Sequence, residues 1–380
     1  MQLYKMSDDI NLEKCFNDLR VTQEGAKILR KKAKHYLICI KDLRSPAANI
    51  LKQDALSIGA DLAVPKNSVT CQDPLVDAVL IANENQINQL AKKEKIQPFG
   101  LKELASRLPE FLDHKKEKTQ IMGVLNANDD SFNAHSRFSS FDAQTRIKSM
   151  IAEGADIIDI GGLSSRPGSI PIGDEAELKR IKNIVDIIDK HKFYDQVAFS
   201  LDSYSPLCLR YALDRGFSII NDITALENDK VAKIASHYDA TVVLMHKLGS
   251  TQKMQENPEY DNVILDIDTF FHKRVQKAKE FGIQKIVLDV GIGFGKTLEH
   301  NLSLLQNHEH FLHFGYPLLI GASRKSMINA ISTSEVADRL PGTLAIHLEA
   351  VRKGASIVRA HDVSEHRQAL RVQAAILGAK

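Results

Sequence analysis

At 380 residues, with 43% hydrophobic and 26% charged residues, the chain has the composition of an ordinary globular protein and is longer than one average domain. A formal net charge of +2 gives no general attraction to nucleic acid or to an acidic membrane surface, so neither is expected as a partner. No apolar run approaches the roughly 20 residues that a membrane span requires, and MQLYKMSDDINLEK at the start is acidic where a secretory signal needs an apolar core.

Cys15, Cys39, Cys71 and Cys208 are scattered without a C-x-x-C, and the 14 histidines are dispersed without an H-E-x-x-H. That suits reduced thiols in the cytoplasm better than a disulfide frame or a zinc site. A soluble cytoplasmic protein is the expectation.

In chain order, residues 1–115 read as a small α/β accessory domain of unknown role. Charged, helix-favouring sequence (Asn11–Lys34) leads to a predicted strand, His35–Leu43, and then to a helix over Pro46–Ser57. Ala60–Pro65 and Asp77–Asn83 read as further strands, and Asn85–Leu108 as helix broken at Pro98-Phe99-Gly100. Leu112–Thr119 is a charged connector.

From residue 116 to 380 the pattern is regular. Short apolar runs recur at 120–126, 155–162, 196–202, 217–223, 240–246, 285–291, 317–323 and 355–362, separated by helical stretches such as Asp174–His191, Tyr260–Phe281 and Ala337–Lys353. Asp174 with Glu177 makes a capping box, and Thr297 with His300-Asn301 opens another helix. Gly154, Gly216, Gly282, Gly315 and Gly354 stand where helices end before the next strand. Eight strands alternating with helices over ~260 residues match a (β/α)8 TIM barrel, with a doubly wound open sheet as the alternative.

Chemistry in such a barrel sits at the carboxyl ends of the strands. Those ends carry Asn126, Gly161-Gly162, Asp202, Asn221-Asp222, Met245-His246, Asp289, Ser323-Arg324-Lys325, and Arg359 with His361. Asp202, Asn221 and Asp289 form an acceptor-rich set that suits a heterocycle with N–H donors, such as a pterin or guanine edge. Arg359, His361 and Arg166 form a cationic set that suits phosphate or pyrophosphate, and Lys325 bridges the two. Met245 reads as packing. The stretch KIVLDVGIGFGKT (Lys285–Thr297) has G-x-G-x-G spacing, which fits neither the phosphate loop of an NTPase nor a dinucleotide fingerprint.

The blocks IMGVLNANDDSF, GADIIDIGGLSSRPG, SLDSY, IINDI, VVLMH, LDVGIGFGKTLEHNL, GASRKS, PGTLA and VRAHDV resemble, in order, the motifs of the dihydropteroate synthases. The resemblance implies a (β/α)8 barrel. It also implies joining of 4-aminobenzoate to 6-hydroxymethyl-7,8-dihydropterin diphosphate with release of pyrophosphate. On the matching positions, Asp202, Asn221, Asp289 and Lys325 belong to the pterin pocket, with Met245 beside them. Asn126 is associated with Mg2+ and the diphosphate, and Arg359 and His361 with the diphosphate itself. Asp130, Ser131 and Phe132, with Ser165, Arg166 and Pro167, lie in two loops that close over the reacting groups. Phe294, Arg324 and Ser326 lie where 4-aminobenzoate is expected. A homodimer is implied by the family.

The chain departs from the family pattern in the first loop, where Ala127-Asn128-Asp129 replace V-T-P, and in the second, where Leu163 replaces an acid and Ser165 a threonine. Val290 stands where a proline is usual. Corrinoid methyltransferase barrels and a non-catalytic pterin-binding module are the competing readings. The S-R-K block and the V-R-x-H-D ending speak against the first, and intact Asn126, Arg166, Lys325, Arg359 and His361 against the second. For residues 1–115 a packing or oligomerisation role is set against a second folate-pathway activity. The version implied is a flavin-dependent reduction of dihydropteroate, although the sequence holds no flavin motif.

Overall fold

The computed structural model describes residues 1–7, 10–112, 118–127, 140–162, 173–249 and 254–378. Met1–His114 and Ala374–Lys380 cluster as one compact unit, and Lys115–Gln373 as another. The sequence reading assigned everything after residue 115 to the barrel; residues 374–380 group instead with the first unit.

In the first unit, β1 (His35–Arg44), β2 (Asp61–Ala63) and β3 (Leu75–Asn83) form an antiparallel sheet in the order β1-β3-β2. These are the three expected strands. β3 alternates exposed and buried residues along its length, as a strand with one solvated face must. Its Val76, Ala78, Leu80 and Ala82 share a core with Ala47, Ala48 and Leu51 of the helix Ser45–Ser57 and with Ile87 and Leu90 of the helix Glu84–Glu94. An Asn83–Gln86 capping box starts the latter helix. The expected break follows it, with Phe99 and Gly100 both at positive φ before the helix Leu101–Arg107.

In the second unit, β4 (Gln120–Asn126), β5 (Ile157–Gly161), β6 (Ala198–Asp202), β7 (Ile219–Asp222), β8 (Thr241–Met245), β9 (Ile286–Asp289), β10 (Leu318–Ile320) and β11 (Ala355–Ala360) close into a parallel barrel. Each strand pairs with its neighbours in chain order, and β11 returns to β4 through Val358 opposite Ile121. Closure removes the sheet edges that an open doubly wound sheet would leave, and so excludes that alternative.

Side chains alternate across each strand, so the barrel has two apolar layers. Met122, Ile157, Ile219, Val243, Val287, Leu319 and Ile357 form a separate cluster that plugs the interior. Their chain neighbours, such as Ile121, Ile158, Ile220, Val242, Leu288 and Val358, face outward into the larger core shared with the helices. The five glycines expected at helix ends all have positive φ.

Thr297 and His300 do form a capping box. Asp174 and Glu177 do not: Gly173 is the cap of the helix Asp174–His191, and Glu177 is buried. The first turn carries three acids, Asp174, Glu175 and Glu177, a placement that the helix dipole favours without any capping box, which is why the spacing misled. Among the described residues, no helix is long and apolar enough to cross a membrane.

Candidate active site

Above the apolar plug, the same inward positions turn polar. Ile157 is followed two residues on by Asp159, Ile219 by Asn221, Val287 by Asp289 and Ile357 by Arg359. Asn126, Gly161, Asp202 and Asn221 lie side by side in one register row across β4 to β7. Met245 pairs with Asp289 across β8 and β9. Asp222, the next residue after Asn221, turns the other way and accepts hydrogen bonds from the Thr224 and Leu226 amides and from the Thr224 hydroxyl. Of that Asn-Asp pair, only Asn221 faces the barrel interior.

A buried ion-pair network spans this floor. The Arg359 Nε donates to Asp159 Oδ2 at 2.7 Å, and its Nη2 donates to Asp202 Oδ2 at 2.9 Å. Burial works against the Arg359 charge, but Asp159 and Asp202 outweigh it and hold its pKa above the ordinary value. Burial raises Asp202, with Asp159 adding repulsion, while Arg359 pulls the other way. Asn221 Nδ2 donates to Asp159 Oδ2 at 3.1 Å, which leaves the Asn221 amide oxygen as the acceptor that a ligand would meet. Asp159 is fully buried, and its Oδ1 has no hydrogen-bond partner among the described residues.

The glycine loop after β9 is held open by its backbone. Asp289 is 6% exposed and accepts from the Gly291 amide at 2.8 Å. Gly291 sits at φ +67°, and a Cβ there would lie 1.9 Å from the His246 carbonyl oxygen, so no other residue fits. Lys296, from the Gly-Lys-Thr that hinted at a phosphate loop, is buried and donates to His246 Nδ1 (2.9 Å) and to the Phe294 carbonyl (3.0 Å). Burial brings Lys296 down to about 7, although Asp289 opposes the shift. Its amine ties the loop together and is not presented to a phosphate.

Lys325 donates to the Ile292 carbonyl, and its ammonium lies 4.3 Å from the centre of the Phe294 ring. A cation so placed over an aromatic face gains about 0.5–2 kcal/mol. Burial lowers Lys325 to about 8, against the attraction of Asp289. Burial raises Asp289, and Lys325 opposes that in turn.

The loops after β10 and β11 are locked to one another. Arg324, at φ +56°, clamps Asp362 through both arms of its guanidinium, at 3.1 and 2.5 Å. Ser323 Oγ lies 2.9 Å from His361 Nδ1. Beneath them, the Ala322 amide donates to His347 Nε2 at 3.0 Å, so the His347 proton is on Nδ1 and goes to His366 Nε2 at 2.9 Å. His366 then donates from Nδ1 to the Asp362 carbonyl at 2.6 Å. Burial holds both imidazoles below the ordinary histidine range, which keeps this relay neutral. Ser326 is exposed and begins the helix Ser326–Ile331.

A family model described as "Pterin binding enzyme" matches residues 122–361. Over 345 residues the chain is 41% identical to the bifunctional dihydropteroate synthase/dihydropteroate reductase of Helicobacter pylori, covering 90% of this chain and 91% of that one. The chain belongs to the dihydropteroate synthase family.

Solved dihydropteroate synthases are similar over the barrel. The Yersinia pestis enzyme in a sulfonamide complex aligns with a TM-score of 0.65 at 34% identity, over 71% of this chain and 97% of its own. The Thermus thermophilus enzyme in complex with 4-aminobenzoate aligns with a TM-score of 0.62 at 34% identity, over 68% of this chain and 95% of its own.

Among residues matched to the dihydropteroate synthase motifs, the barrel gathers Asp202, Asn221, Asp289, Lys325 and Arg359 around one floor. Arg359 joins the acceptor set through its ion pairs, where the sequence grouped it with the phosphate-binding cations. Arg324, expected beside 4-aminobenzoate, spends its fork on Asp362. Asp130, Ser131, Phe132, Ser165, Arg166 and Pro167 lie outside the described residues. Sequence reasoning missed Asp159, and it placed His246 at a strand end and Lys296 in the glycine loop without pairing them. Asp159 had a signal: it is an acid inside the run IIDIG, in phase with the inward-facing Ile157.

Proposed function

We propose that the barrel condenses 4-aminobenzoate with 6-hydroxymethyl-7,8-dihydropterin diphosphate to give 7,8-dihydropteroate and pyrophosphate. The observation that carries this reading is the buried polar layer set on an apolar barrel plug, in a chain of this family. In this reading Asp202, Asp289 and the Asn221 amide oxygen accept the N–H donors of the pterin. Lys325, anchored over Phe294, donates to the far side of the ring. Met245 packs against it, and Arg324 and Ser326 border the aminobenzoate end.

The carboxylates favour positive charge on the pterin as its methylene–oxygen bond breaks. The arylamine needs no strong base, because its nitrogen lone pair attacks without prior deprotonation. Arg359 and His361, with Arg166 from the second loop, meet the charge that grows on the departing diphosphate. The two loops, carrying Asp130, Ser131 and Phe132 and then Ser165 and Pro167, keep water from the electrophile. Asn126 offers a hard amide oxygen at the end of β4, level with Asp202, of the kind Mg2+ takes beside substrate phosphates. When bound there, Mg2+ would neutralise part of the diphosphate charge.

For residues 1–115 the reading is a reduction of dihydropteroate. Support comes from the bifunctional relative, which matches 90% of this chain, whereas the solved synthases match about the barrel alone. The unit does not fit a flavin of the dinucleotide-loop type. Its strand–helix junctions read Arg44-Ser45-Pro46 and Asn83-Glu84-Asn85, with no glycine to bring backbone amides onto a phosphate. A cytoplasmic homodimer completes the reading, and the solved sulfonamide complex supports sulfonamides as ligands of the aminobenzoate end.

The test is pyrophosphate release dependent on 4-aminobenzoate, with and without Mg2+, by the full chain and by a chain starting at Lys118. Release by both, stimulated by Mg2+, is expected; release that ignores 4-aminobenzoate would overturn the synthase reading. Consumption of NAD(P)H with reduced flavin and dihydropteroate, by the full chain only, is expected for the extension, and equal rates in the two chains would remove that idea.

A further inference from the structure

The histidines look dispersed in the sequence, yet the fold gathers three of them on one buried carboxylate. The helix Val263–Glu280 carries Asp268 and His272 four residues apart, hence on one face. The 3-10 segment His308–Phe314, which leads into β10, carries His310 and His313 three residues apart, one turn of such a helix. Asp268 Oδ1 lies 3.0 Å from His310 Nε2 and 2.6 Å from His313 Nε2. Asp268 Oδ2 lies 3.1 Å from His272 Nδ1.

We propose that Asp268, His310 and His313 bind a divalent transition-metal ion, Zn2+ being the best match, beside the amino-terminal end of β10. Two imidazoles and one carboxylate are a donor set that Zn2+ takes, and the three ligand atoms lie within 4.8 Å of one another. Metal–ligand bonds of about 2.0–2.2 Å require neighbouring ligands about 3.3–3.5 Å apart in a tetrahedron, so relative to Asp268 the His310 nitrogen at 3.0 Å needs to move out by less than about 0.5 Å and the His313 nitrogen at 2.6 Å by less than about 1 Å.

The environment favours the ion. Asp268 is 7% exposed and the His313 side chain 3%. The Asp268 carboxylate already sits between the two imidazole nitrogens. His272 orients the second carboxylate oxygen, as outer partners of metal ligands do. The Phe314 ring lies 4.1 Å from that of His313 and 4.7 Å from that of His272, an apolar wall on one side of the cluster. Nitrogen donors exclude Mg2+, which demands oxygen. The ion would clip the helix to the segment before β10, away from the reacting groups.

The experiment takes the full chain, stripped with a chelator, and adds ZnCl2 in the presence of excess Mg2+. Zinc retained after dialysis and the melting temperature are read together. One zinc per chain is expected, with Tm rising by about 5 °C at a hundredfold excess over Kd. The double variant His310→Gln/His313→Gln keeps hydrogen-bond donors toward Asp268 but loses the imidazoles. It should keep its zinc-free Tm and its synthase rate while losing both the retained zinc and the zinc-dependent rise. His272→Ala should bind about tenfold more weakly. Zinc retention equal in wild type and double variant, or no zinc-dependent change in either measurement, overturns the proposal and leaves a hydrogen-bonded cluster only.

Discussion

Glu177 stands in the first turn of the helix Asp174–His191 with 1% of its surface exposed, and its Oε1 has no hydrogen-bond partner among the described residues. Burial is the largest influence on this carboxyl. A hydrogen bond to Ser203 only partly offsets it, and the group is pushed up to about 7. An unfolded glutamate titrates near pH 4.3, so between about pH 4 and pH 7 the native state keeps a proton that the unfolded chain has lost. The contribution is therefore fully present at low pH and is lost as pH rises through the native value. Above that value the buried charge costs about 3 kcal/mol.

Glu177→Gln removes the charge and keeps the shape. The variant should match wild type near pH 4 and exceed it near pH 8 by about 2–3 kcal/mol, or roughly 4–12 °C in Tm. The Glu177 charge also helps to raise Asp202, so the acidic limb of the synthase pH–rate profile should move to lower pH in the variant. Thermal melts and initial rates at both ends of the range decide the matter. An equal Tm difference at both pH values, or a variant less stable at pH 8, would refute the reasoning.

Asp159→Asn should lower kcat/KM by about 10–100-fold and Tm by several degrees, because Arg359 loses a charged partner at 2.7 Å and Asn221 its anchor; unchanged kinetics would count against the network. Gly291→Ala should cost about 3 kcal/mol or more by denaturant titration, since its Cβ meets the His246 carbonyl at 1.9 Å; a neutral effect would mean that the loop relaxes freely. Lys325 is lowered to about 8, so the synthase rate should fall as pH rises through that value and the ammonium discharges. In Lys325→Arg, assayed across the same range, that limb should vanish even if the rate drops, and an unmoved limb would assign it to another group.

The fold was legible because barrel physics is local and periodic. Each apolar run from 120–126 to 355–362 became a strand, since a strand covered on both faces must be continuously apolar. The site was legible only where a polar residue interrupted such a run near its end, as at Asp202, Asn221 and Asp289. Asp159 lies deeper in its strand and passed as an unremarked acid. The failed capping box at Asp174–Glu177 has the same root: spacing marks where a carboxylate is in sequence, while burial decides what it does.

The sequence by itself determined the barrel, its order of strands, the family and the set of polar strand ends, because all of these follow from periodicity and from short contiguous motifs. Tertiary structure decided the partnerships. Arg359 reaches Asp159 across 200 positions of chain, Lys296 reaches His246 across 50, and His310 and His313 meet Asp268 across 42 and 45. Such pairings depend on which faces the closed barrel brings together and on the cost of leaving a buried charge alone. Neither is written in any local stretch of the chain.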